Sequence, residues 1–63
     1  MIVAFARMLR NSLEEEIASV DRGLLSGNLK DFNEYHRLSG RRQGLTEALV
    51  LVDAVMTKFD SQP

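Results

Sequence analysis

From Ile2 onward, apolar residues fall at steps of three and four: Ile2, Phe5, Leu9, Leu13, Ile17, Val20 and Leu24. That spacing is the period of one face of an α-helix and predicts a first helix over about residues 2 to 26. A second series, Phe32, Tyr35, Leu38, Leu45, Leu49, Val52, Met56 and Phe59, predicts another over about residues 29 to 60. The Ser-Gly-Asn stretch at 26 to 28 separates them. Gly27 suits the left-handed conformation at a helix C-terminus and Asn28 suits an N-cap. Asp31, three residues on, adds a carboxylate near the positive end of the second helix dipole. The expected fold is all-α, one domain over residues 1 to 63: an antiparallel two-helix hairpin with a tight turn, completing a helical bundle by oligomerisation or docking.

The apolar content is uneven along this hairpin. At the open end, Ile2, Val3, Phe5, Met8 and Leu9 cover most of the circumference of helix one. Helix two carries a seam of Leu45, Leu49, Val52, Met56 and Phe59 and, beside it, a second apolar face of Ala48, Leu51 and Val55. A hairpin buries one face of each helix, so the second face needs another covering surface. Leaving several such side chains wet forgoes about 25 cal/mol for each Å² of apolar surface, several kcal/mol in all. The expected oligomer or partner interface is therefore Ile2, Val3, Phe5, Met8, Leu9, Leu51, Val55, Met56 and Phe59.

Gly40 and Gly44 sit inside the second helix, where each glycine costs about 1 kcal/mol relative to alanine. With Ala48 they are spaced four apart and form a small-residue groove suited to close helix packing. Folding back about Gly27 places Gly40 near residue 14 and Gly44 near residue 10, so Leu9 and Leu13 are the favoured occupants of that groove. A helix from another subunit is the alternative.

Size sharpens the need for a partner. A chain of 63 residues has little interior, and with no cysteine and one histidine it has no disulfide or obvious metal staple. Oligomerisation or docking is the remaining route. The eight lysines and arginines against nine aspartates and glutamates give a net charge of −1, which does not mark a general nucleic-acid binder. The apolar run at the N-terminus lacks a preceding basic flank and meets Arg7 far short of the ~20 residues that span a bilayer. Neither a signal peptide nor a membrane anchor is expected.

Arg37, Arg41 and Arg42 should lie across from Glu14, Glu15 and Glu16, and ion pairs between the helices are the first explanation of both runs. A phosphate-binding patch, with Arg7, Arg10 and His36 in support and Tyr35 stacking on a base, is the sharper alternative for nucleic-acid contact. Catalytic chemistry is thinly represented. A di-iron bundle needs Glu-x-x-His pairs, and Asn33 stands three residues before His36. Ser39, His36 and Glu34 have nucleophile-type chemistry but no oxyanion donors or pocket. No enzyme activity, metal or cofactor is expected.

The segment from 27 to 45, with Gly27, Asp31, Phe32, Tyr35, Gly40, Arg41, Gly44 and Leu45, resembles a pattern in short, mostly uncharacterised helical-hairpin proteins encoded by tailed bacteriophages. The resemblance implies a phage origin and no particular activity. Taken with the apolar open end as a docking face, the expectation is a structural or adaptor subunit, in the virion or host cytoplasm, that binds itself or a larger phage structural protein at a portal, head-to-tail junction or capsid. The other class left open is a free regulatory binder: an anti-defence or host-takeover protein, or an RNA-binding four-helix bundle of two hairpins.

Overall fold

A computed structural model describes residues 2–27 and 30–61. It is an antiparallel hairpin of two helices, α1 (Ile2–Leu25) and α2 (Phe32–Ser61), about 51 Å long and 15 by 12 Å across. The described residues include no strand. α1 stops where expected: Gly27 adopts φ +75°, a left-handed conformation that only glycine enters at little cost. The Ser26 hydroxyl donates to the Gly23 carbonyl at 2.9 Å, satisfying one carbonyl of the last turn.

α2 begins three residues later than the sequence pattern predicted. Asn28, the expected cap, lies outside the described residues, and Asp31 is itself the N-cap. The Glu34 amide donates to Asp31 Oδ1 at 2.8 Å, while Glu34 Oε2 accepts from the Lys30 amide at 3.1 Å. This is a capping-box arrangement shifted by one residue, worth about 1 kcal/mol through its Asp cap.

The register differs from the expectation as well. Arg10 bridges to Asp53 and Arg42 to Asp21, pairs whose numbers each add to 63, and Gly23 faces Leu38. The expected neighbours of Gly40 and Gly44 were residues 14 and 10, which add to 54, whereas the cross-helix pairs add to between 57, for Arg41 with Glu16, and 63, so the helices are offset by roughly one to two and a half turns from that expectation. They end nearly flush at the open end. At the other end the first turns of α2 overhang α1, which leaves Phe32 71% and Tyr35 47% exposed instead of on the seam.

The seam itself runs through Ala6, Arg10, Leu13, Ile17, Val20 and Leu24 of α1 against Leu38, Leu45, Leu49, Val52 and Met56 of α2. Among the described residues only Val20 is fully buried; the others are partly covered. Ile2, Phe5 and Leu9 leave the expected seam for a geometric reason. Phe5, Leu9, Leu13 and Ile17 are each four apart, and every four-residue step overshoots a turn by about 40°. Over three steps the apolar stripe winds about 120° around the helix, carrying Phe5 out to 69% exposure.

Candidate docking face

The register divides the hairpin into two unlike broad faces. One carries the charge. Arg10 lies between its helix neighbour Glu14 at 3.0 Å and Asp53 of α2 at 2.8 Å, and Arg42 spans to Asp21. The hydrogen bond and charge of Asp53, then the charge of Glu14, raise the Arg10 guanidinium above its usual range; Asp21 does the same for Arg42. These side chains are all about 40 to 50% open to solvent, so screening limits what the bridges add to stability.

The other face is built from two stripes at steps of four and three. From the open end, α1 presents Phe5, Leu9, Ser12, Glu16, Ser19 and Gly23, while α2 presents Val55, Leu51, Ala48, Gly44, Arg41 and Arg37. Phe5, Leu9, Leu51 and Val55 form the walls of an apolar groove with Ala6, Val52 and Met56 at its floor. Phe5 is 69%, Leu51 66% and Val55 62% exposed. Toward the middle the stripes become small, and near the loop they become polar, with Arg41 Nη2 donating to Glu16 Oε2 at 2.9 Å. A second, smaller cleft at the tip lies among Ile2, Val3, Met56 and Phe59.

The expected interface residues are thus gathered at the open end, with Met56 partly covered on the seam and Met8 turned outward from the groove. The preferred intramolecular role of the glycines is corrected. A Cβ at Gly40 or Gly44 would meet nothing within 4 Å, so neither Leu9 nor Leu13 packs against them. Within the chain it is Gly23 that has a helix neighbour, Leu38 Cδ1 lying 3.6 Å from its would-be Cβ.

The arginine expectations are also partly corrected. Arg41 reaches Glu16 as anticipated, but Arg42 takes Asp21, Glu14 is used by Arg10 within α1, and Arg37 has no ion pair among the described residues. The sequence reading missed Arg10, Asp21 and Asp53 as bridging residues. Their one local signal is that Arg10 interrupts an apolar stripe. At the overhanging end His36 is exposed and meets the Phe32 ring edge-on at 4.4 Å, and Glu34 is engaged in the α2 cap.

Among the described residues no group of three His, Cys, Asp or Glu is placed to hold a metal, and no helix is long and apolar enough to cross a membrane. No protein-family model, curated protein or solved structure matches this chain. Its functional reading therefore rests on the geometry of the hairpin.

Proposed function

We propose that this chain is a non-enzymatic structural or adaptor subunit that docks through its apolar open end onto a larger assembly. One observation carries the reading: Ile2, Phe5, Leu51 and Val55, each more than 60% exposed, line one groove at the same end of a domain with a single buried residue among those described. Scattered surface apolar residues are ordinary, but a contiguous groove of them with an almost wholly apolar lining marks an interaction surface. The resemblance of residues 27 to 45 to short phage proteins supports a phage origin, and the assembly this reading names is the portal, head-to-tail junction or capsid of a tailed bacteriophage.

Quantitative mass spectrometry of purified particles from the encoding genome tests this. The expected result is a copy number set by particle symmetry, lost when Leu51→Glu places a charge in the groove. Presence in infected cells and absence from particles would replace this reading with a free regulatory binder of a host protein. RNA binding by a pair of hairpins is less well supported, because Arg41 and Arg42 already face carboxylates.

A further inference from the structure

We infer that the groove-bearing broad face is covered by a second copy of this chain, related by a two-fold axis along the hairpin so that both open ends lie at the same end of a four-helix bundle. The inference rests on the reading of the open end as a docking surface and names its first occupant.

Area gives the first argument. A compact monomer of 7.1 kDa exposes about 4,100 Å², whereas this chain exposes 5143 Å². The excess, about 1,000 Å², is close to the roughly 800 Å² that each partner contributes to a standard-sized specific interface. One further hairpin laid along the face is the right size of cover.

The distribution of side chains along the face fixes the direction. The large apolar groups, Phe5, Leu9, Leu51 and Val55, occupy the half toward the open end, and the charged groups, Glu16, Arg37 and Arg41, occupy the other half. A head-to-tail copy would press each apolar half onto the partner's charged half and desolvate those charges against hydrocarbon. Open end beside open end puts apolar on apolar. The same two-fold places α1 of each copy beside α2 of the other, so Glu16 on one lies beside the helix that carries Arg41 on its partner. Acid then meets base across the joint, and like charges stay apart. Halfway along, Ser12, Gly44 and Ala48 are small enough for the helices to approach closely.

Two neighbouring residues of similar exposure make the test. Leu51, 66% exposed, lines the groove, and Val50, 62% exposed, does not. Sedimentation equilibrium of the full chain at 100 µM should give a dimer. Leu51→Glu should raise the dimer dissociation constant by about 100-fold or more, because each copy would bury an unpaired carboxylate. Val50→Glu should leave it within about threefold. A loss of helicity in Leu51→Glu alone also supports the inference, since a residue this exposed in one hairpin can matter to folding only through its cover.

Because the chain has no cysteine, a spin label at Lys58→Cys reports the direction cleanly. Side-by-side open ends hold the two labels about 20 to 30 Å apart, two to three helix diameters. A head-to-tail dimer holds them near the 51 Å length of the hairpin, and that distance would overturn the inference. So would a dimer equally indifferent to both glutamates. A wild-type monomer at 100 µM overturns the second copy, and the docking reading then stands or falls separately on whether Leu51→Glu loses its place in purified particles.

Discussion

Gly40→Ala should make this protein more stable. A Cβ at Gly40 meets nothing within 4 Å, so the substitution adds no clash and no contact. What remains is the backbone term, about 0.8 to 1 kcal/mol in favour of alanine inside a helix. For a domain near 60 residues that gain should lift the melting temperature by roughly 4 to 8 °C. Gly44 is equally open within one chain but lies on the groove face, which makes it the paired probe. Gly44→Leu gains nearly the same propensity; with a second hairpin over the face, it adds overpacking of about 1 to 3 kcal/mol. Circular-dichroism melts at 5 and 200 µM separate the terms. Gly40→Ala should melt higher at both concentrations, and Gly44→Leu should melt lower, with the deficit depending on concentration. A lower melt for Gly40→Ala would refute the open-space argument. A higher melt for Gly44→Leu at both concentrations would mean that no backbone approaches that face.

Three other substitutions read the hairpin's local devices through the same melts. Gly27→Ala forces a Cβ into a left-handed residue at φ +75° and should cost about 1 kcal/mol, although alanine is favoured almost everywhere else. Asp31→Ala removes the cap that accepts the Glu34 amide and should cost about 1 kcal/mol, whereas Asp31→Asn should restore most of it. Val20→Ala trims the fully buried valine and should cost about 1 to 2 kcal/mol, while Val50→Ala on the exposed side should stay within about 0.5 kcal/mol of wild type.

Much of the fold was legible because it is local. Three- and four-residue spacing gave both helices, and Gly27 marked the reversal by a property that only glycine has. The surplus of apolar side chains at the open end was equally plain, since it needs only helix geometry and a count of faces. The register was not legible. It depends on which residues of two distant segments lie level, and no local signal fixes that; the start of α2 is marked by the reciprocal cap of Asp31 and Glu34. With the register misplaced, the glycines were set against Leu9 and Leu13, and Arg42 against the wrong acids. The winding of Phe5 and Leu9 off the seam was available in principle from their four-residue steps. The division into a charged and an apolar face was not, because it follows from which residues of the two helices lie level.

That division bears on how so small a chain holds one structure. The bridge of Arg10 with Asp53 lies apart from the neighbouring bridges of Arg41 with Glu16 and Arg42 with Asp21, and all three are well exposed. Exposed pairs add little stability, but three at fixed positions disfavour sliding one helix past the other, which would break all three together. Their work is to select a register. Stability has to come from apolar burial, and the seam alone supplies little of it, with one fully buried valine among the described residues. On the proposed reading the groove face supplies the rest, so folding and association form one equilibrium and the melting temperature rises with protein concentration. The charged face then has a second consequence. A hairpin apolar on both broad sides would stack indefinitely, whereas one that turns Arg10, Glu14, Asp21, Arg42 and Asp53 outward closes after a single two-fold contact, leaving the tips of the bundle as the surfaces free to meet a larger assembly.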